Sequence, residues 1–407
     1  MNTKGRMLSA FAILGALTST AADPTVEISS VLWNPELRRA TVVYDLKNAS
    51  AVVTADVRTN GVSVGGVRQW KVWGDVNRLM SVGNDKTLTW QVDGDMSIDQ
   101  PSQLDVALQV WPATNPPPYL AVDVAVPNFR RYYASVEFVP QGPTNDIYRY
   151  DMILLRKIPA AGLVWVMGSP TTETGREPDG REQQRRVKLS SDYYIGVHEI
   201  TQYQIAMLGG GSDTAHEPLD RRPPMPSNRI NMKKARGMSF LWPADGHSVE
   251  SSSVIGKLRS VSGISSFDLP TSAQWEYAAR AGSSSRFYWG DDDSVSEQYE
   301  WSSSNTQDGR MRMGGLLKPS PWGLYDILGN NPELTLDWYE NPAASDVPLV
   351  DPAGPANEVS GFESCKVVRG GRFDRWKTQG RSAFVNRQAL DYDGISTFRP
   401  VCDAVAQ

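Results

Sequence analysis

His198, His216 and His247 are the only histidines of the 407-residue chain. No two of them share the i, i+4 spacing with which a helix offers a metal two imidazoles. They read as hydrogen-bonded or solvated side chains. The serine runs Ser251-Ser252-Ser253 and Ser283-Ser284-Ser285 have no histidine placed to activate a hydroxyl and read as loop composition. Asp291-Asp292-Asp293, after Trp289-Gly290, reads as a solvated acidic loop with some capacity to help hold a cation. Arg221-Arg222 and Lys233-Lys234 are too short for a polyanion patch. The net charge of −5 further argues against a nucleic-acid partner, because phosphate binding needs a basic surface. Two cysteines, Cys365 and Cys402, permit one disulfide at most; two isolated thiols are the other reading. Tryptophan and arginine between residues 372 and 387 are the types that dominate binding hot spots, or else pack a core.

The elements that must position these residues fall into two blocks. Lys4 and Arg6, an apolar run over residues 8–17 and the small residues Ser19 to Ala22 read as an export signal over residues 1–22, cleaved near Ala22. The run is too short to span a bilayer, and no later segment is long and apolar enough to do so. A secreted, periplasmic or cell-surface location follows. Residues 23–140 show short β-branched runs broken by turn pairs such as Asn60-Gly61, and predict an all-β sandwich-like domain. A strand is expected over residues 132–139. Residues 141–160 are expected to be a linker, opening on the turn cluster Gln141-Gly142-Pro143. Residues 161–407 mix element types, which predicts an α+β domain with little regular structure. One helix is expected near residues 273–281, capped by Thr271 or Ser272 and ended by Gly282. Another is expected after Thr201, running toward Leu208, and the remainder reads as loop with short strands.

An ordered set of motifs crosses this second block. It begins with Val164-Trp165-Val166-Met167-Gly168-Ser169 and Tyr193-Tyr194-Ile195-Gly196-Val197-His198-Glu199-Ile200-Thr201. It continues with Leu269-Pro270-Thr271-Ser272-Ala273-Gln274-Trp275-Glu276-Tyr277-Ala278-Ala279-Arg280, then Trp322-Gly323-Leu324-Tyr325-Asp326, Gly329-Asn330 and Val368-Arg369-Gly370-Gly371. This succession resembles the sulfatase-modifying-factor family, whose founding activity is oxidation of a sulfatase cysteine to formylglycine. The resemblance implies a variant of the C-type-lectin fold with long ordered loops.

It also implies which chemistry to look for. Formylglycine-generating members bind copper(I) through two cysteines shortly after the strand matching Val368-Arg369-Gly370-Gly371, a soft thiolate pair for a soft ion. Here that segment, residues 372–383, holds no cysteine, so copper is not expected. An iron-binding branch of the family relies on histidines, which the spacing above does not supply. The resemblance further implies a calcium site, with the Asp326 and Glu333 side chains and the Gly329 and Asn331 carbonyls as ligands. The family's Gly-Asn-Val-Trp-Glu-Trp is here Gly329-Asn330-Asn331-Pro332-Glu333-Leu334, which keeps the carboxylate and loses both tryptophans. The expectation is an exported family member without formylglycine-generating activity, a calcium-stabilised lectin-like scaffold for a protein, peptide or glycan ligand. The alternative is a formylglycine-generating oxidase. A ligand-binding protein diversified at its C-terminal surface is a third possibility.

Overall fold

Alternation of buried and outward residues organises the first strands. The computed structural model describes residues 22–65, 71–94, 103–210, 224–227, 229–238, 241–362, 364–392 and 394–407. All of the expected leader except Ala22 lies outside the described residues, as do His216, Arg221 and Arg222. The strands β1 (Thr25–Asn34), β2 (Arg39–Lys47), β3 (Ala51–Thr59), β4 (Val62–Ser63), β5 (Val72–Gly74), β6 (Leu79–Met80), β7 (Gly83–Gln91) and β8 (Leu104–Pro112) follow one another. In β2 the residues Ala40, Val42, Tyr44 and Leu46 are fully buried while their neighbours are not, the period of two that turns one strand face inward. One sheet runs β1-β2-β7-β5; in the other β3 pairs with β4, β6 and β8. Leu88 and Trp90 of the first sheet and Val53, Val57 and Leu104 of the second belong to one hydrophobic core. Two sheets sharing a core form a sandwich.

Chain contacts divide the molecule into two compact units. One comprises the described parts of Met1–Ala121, Arg130–Asn145 and Ala404–Gln407; the other comprises Val122–Phe129 and Asp146–Asp403. β9 (Tyr119–Asp123) and β10 (Arg130–Tyr133) follow the sandwich strands. The strand expected over 132–139 stops at Tyr133, and a 3-10 turn at Val136–Phe138 follows.

The expected linker is also structured. It contains β11 (Met152–Ile158), whose Met152, Ile153, Leu154 and Leu155 are all buried. A continuous apolar run of this kind marks a strand covered on both faces, and its lack of alternation hid it in the sequence. Next come β12 (Val164–Met167), β13 (Arg185–Lys188), β14 (Tyr193–Gly196), β15 (Glu333–Trp338), β16 (Ser345–Val350), β17 (Cys365–Arg369), β18 (Asn386–Ala389) and β19 (Val401–Asp403). β14 pairs with both β11 and β19, β13 with β12 and β16, and β17 with β15 and β18.

Four α-helices are described: α1 (Gln202–Met207), α2 (Met232–Arg236), α3 (Val254–Ser262) and α4 (Ser272–Arg280). Thr201 and Thr271 cap α1 and α4 through capping boxes closed by Gln204 and Gln274. Neither α2 nor α3 was expected. Ser253, at the end of a serine run read as loop, is the N-cap of α3, and Gly263 ends it in the left-handed conformation. No helix among the described residues is long and apolar enough to cross a membrane.

Candidate functional site

Helix α4 fixes the site because its polar side chains point into the core and find partners there. Trp275 is fully buried and donates its indole N–H to Glu333 Oε2 at 2.7 Å. Glu276, also fully buried, accepts the Gly168 N–H at 2.8 Å and pairs with Arg280 at 2.8 Å and Arg369 at 3.0 Å. Tyr277 donates its hydroxyl to the Pro159 carbonyl at 2.9 Å. One helical turn thereby ties together the start of β15, the end of β17 and the segments flanking β12. Burial opposes ionisation of Glu276, but Arg280 and Arg369 outweigh it and hold the carboxyl below its ordinary range.

The turn leading into β15 carries the four residues expected to bind calcium. Gly329 has φ +83°, and a Cβ there would fall 2.4 Å from the Trp301 carbonyl oxygen, so only glycine fits. Asn330, which was not singled out as a site residue, ties the turn together. Its N–H donates to Trp301 at 2.9 Å, its amide donates to Glu199 at 2.7 Å, and its carbonyl accepts from Phe373 at 2.7 Å. The Asn331 N–H reaches the other Glu199 oxygen at 3.2 Å. A Gly-Asn pair following apolar Leu328 signals only a turn, so this role had no further signal in the sequence.

Glu199, Asp326 and Glu333 are all buried and close enough to repel one another, with Arg399 as the cation they share. Burial and the Glu333 charge push Glu199 well above the ordinary carboxylate range. Burial raises Asp326 to about 6, against the pull of the Gly315 N–H and of Arg399. Asp326 Oδ2 accepts that N–H at 2.6 Å. Its Oδ1 makes no hydrogen bond of good geometry, although the Trp301 indole helps to hold the carboxyl down. Glu333 gives Oε1 to Arg399 and Oε2 to Trp275, both at 2.7 Å.

Calcium seeks about six to eight oxygens and tolerates irregular geometry. Asp326 Oδ1 fits that need, and the Gly329 and Asn331 carbonyls accept no backbone hydrogen bond among the described residues. Glu333 is already engaged, because Arg399 and Trp275 take its two oxygens and the guanidinium would repel an ion. Among the described residues no group of three or more His, Cys, Asp or Glu side chains is arranged to hold a metal.

Residues 155–403 match the family described as "Sulfatase-modifying factor enzyme 1-like domain". The chain belongs to this family. One relative, the "Formylglycine-generating enzyme" of Streptomyces coelicolor, is 31% identical over 133 residues, covering 28% of this chain and 41% of its own length. The match therefore spans less than half of that relative. A second, the "Chaperone protein LppX" of Paenibacillus barcinonensis, is 22% identical over 216 residues, 45% of this chain and 75% of the relative. Among solved structures, "Treponema denticola variable protein 1" aligns with a TM-score of 0.47 at 20% identity, covering 62% of this chain and 95% of its own. "Structure of PvdO from Pseudomonas aeruginosa" aligns with 0.47 at 18%, covering 62% and 94%.

In this sulfatase-modifying-factor domain the loop after β17 is closed by ion pairs. Gly371, at φ +82°, lies so close to the loop's far end that a Cβ would meet the Gln379 carbonyl oxygen at 2.6 Å. Arg381 is fully buried and pairs with Glu173 at 2.6 Å and Glu182 at 2.7 Å. Arg372 is clamped by Asp374 at 2.5 Å. Trp376 is 75% exposed, while Phe373 and Phe384 are buried, so the segment serves both surface and core. Between this loop, β17 and β18 opens a cavity of about 450 Å³.

The remaining candidates take structural places. Cys365 on β17 and Cys402 on β19 form no disulfide with each other, and burial pushes the Cys402 thiol far up. His198 is buried rather than solvated and stacks on Tyr325 at 5.1 Å. His247 Nδ1 lies 2.8 Å from Asp268, a carboxylate also paired with Arg236. Asp291 accepts the Arg286 N–H, Asp292 caps a 3-10 turn and Asp293 pairs with Arg286 and Lys377. The acidic loop is built of turn caps and ion pairs.

Proposed function

We propose that this family member is an exported, lectin-like binding scaffold whose ligand cleft is the cavity between β17, β18 and the loop after β17, and that it does not generate formylglycine. The observation that carries the reading is the content of residues 372–383. Where the family's oxidase chemistry needs two thiolates, this chain has arginines, a clamped aspartate and an exposed tryptophan. Its two cysteines sit on strands instead, and the raised Cys402 thiol is a poor source of thiolate. The sandwich unit supports delivery or spacing, since such modules usually bind or space.

Calcium belongs to the same proposal. Asp326 Oδ1 and the Gly329 and Asn331 carbonyls would hold the ion, with Glu333 joining only if Arg399 and Trp275 release it. A bound calcium would supply charge to a carboxylate-rich turn and tie it to the base of β15.

The competing reading is the oxidase, favoured by the likeness to a formylglycine-generating enzyme over 133 residues. Incubation of the chain with copper(I) and a sulfatase-motif cysteine peptide separates the two by mass spectrometry. The scaffold reading expects the peptide mass to stay at that of a no-protein control. Conversion of cysteine to formylglycine above that control overturns it.

A further inference from the structure

We infer that this cleft takes an anionic ligand, an oxyanion group carried on a body the size of a small saccharide or peptide. The inference rests on the binding reading above and adds the chemical class. Among the described residues, Arg369, Arg372, Arg375 and Arg387 line the cavity and no Asp or Glu does. In a chain of net charge −5 this is a local reversal of sign, and a concave wall of one sign concentrates its field on whatever enters.

Two of the four guanidinium groups are already engaged. Arg369 lies at the base, held by Glu276 at 3.0 Å and by the Ser272 hydroxyl at 2.7 Å. Arg372 gives Nε and Nη2 to the two oxygens of Asp374. The other two remain for a ligand. Arg375 is 55% exposed in its side chain and reaches the same Asp374 only at 3.8 Å. Arg387 is exposed and has no carboxylate partner among the described residues. Its guanidinium lies 4.8 Å from the Phe362 ring and 5.3 Å from the Tyr339 ring.

Aromatic rings hold a guanidinium through its face and leave its N–H edge unspent. That edge is a planar fork of donors, and a carboxylate, sulfate or phosphate accepts two parallel hydrogen bonds from it. Because the rings hold the fork in place beforehand, less ordering cost remains for the ligand to offset. Gln379 and Asn386 add neutral polar groups to the wall, and Tyr392 and Ile395 give the body of the ligand an apolar surface. A cationic ligand meets repulsion here, and a neutral one would desolvate arginines without compensating them.

Calorimetric titration of the chain with digalacturonate, citrate and inorganic sulfate, beside neutral galactobiose, tests the inference. At least one of the three anions is expected to bind saturably at millimolar concentration or below, with affinity falling as salt rises, while galactobiose does not. Arg375→Gln and Arg387→Gln are each expected to weaken that binding by about tenfold or more, with Lys257→Gln on α3 unchanged as a surface-charge control. Both arginines are exposed, so unaltered circular dichroism will show that the variants fold. Binding by the carboxylates alone, or by sulfate alone, identifies the source of the oxyanion. The inference is overturned if no anion binds, if galactobiose binds as tightly, or if both arginine variants keep wild-type affinity. Galactobiose binding that is abolished by Ala389→Trp would leave the scaffold reading standing without its anion. Formylglycine formation in the peptide assay would remove the scaffold reading whatever the titrations give.

Discussion

Glu276 and Glu300 are both fully buried, yet the regions around them are built on opposite principles. Around helix α4 the carboxylate meets Arg280, Arg369 and the Gly168 N–H, and its pKa is held down. Around residues 300–331 polar atoms are buried without such partners. Both Glu300 oxygens, the Ser302 and Ser303 hydroxyls and Asn331 Oδ1 meet no hydrogen-bond partner among the described residues, and Asp326 Oδ1 meets none of good geometry. Burial pushes Glu300 up to about 8, and the more distant Lys377 and Arg286 recover only part of that, with Asp293 working against them. The difference separates a carboxylate held ionised by the chain's own cations from one that burial leaves holding a proton.

The sharpest way to break this comparison is to remove the partnered carboxylate. Glu276→Ala leaves two buried guanidinium groups short of a counter-charge and is expected to cost about 3–5 kcal/mol, read as a fall in denaturation midpoint. A loss under 1 kcal/mol, about that of an ordinary surface ion pair, would show that the two regions do not differ in kind.

Next in size is a pH effect. Burial raises the folded Glu300 carboxyl to about 8, from the 4.5 of an ordinary glutamate, so the folded chain holds a proton that the unfolded chain gives up. Stability is therefore greatest below pH 4.5 as far as this group is concerned, and is lost as pH rises toward 8. The loss is on the order of a few kcal/mol. Glu300→Gln cannot ionise and is expected to flatten the decline in melting temperature between acid and mild alkali. An unchanged slope in the variant would place the titration elsewhere.

The smallest expected effect is that of calcium. An ion that binds only the folded chain stabilises it by about 2.7 kcal/mol at a hundredfold excess over its dissociation constant. Melting of the full chain in calcium and in chelator is expected to differ by that order, and identical curves would remove the metal proposal. Glu333→Gln sharpens the assignment of this residue. If Arg399 is its partner, the variant loses stability equally in both buffers, whereas a calcium ligand would lose it only where calcium is present.

The same contrast explains what could be read before the structure. Local signals were legible: Thr201 and Thr271 announce two helix starts, and β2 announces itself by alternation. α3 had its markers in Ser253 and Gly263, but a serine run masked the cap. β11 had the opposite fault, an apolar run with no period at all. The pairings that build the site carry no local signal. Glu333 and Arg399 are 66 residues apart, and Glu182 and Arg381 are 199 apart. Charges at such separations meet only because unrelated strands are brought together, which is why a ligand set transferred by motif could name Glu333 and miss its guanidinium.

The loop after β17 is fastened at its two ends, and between them its backbone is held by Phe373 to Asn330 and by Ser303 to the Arg375 carbonyl. Gly371 has no room for a side chain, and Arg381 is buried between two carboxylates, while Arg375 and Trp376 face outward. The backbone is fixed while two outward side chains are left to vary. Libraries randomised at positions 375 and 376, with 371 and 381 held constant, are expected to leave the domain folded and, if the cleft binds as proposed, to alter its choice of ligand.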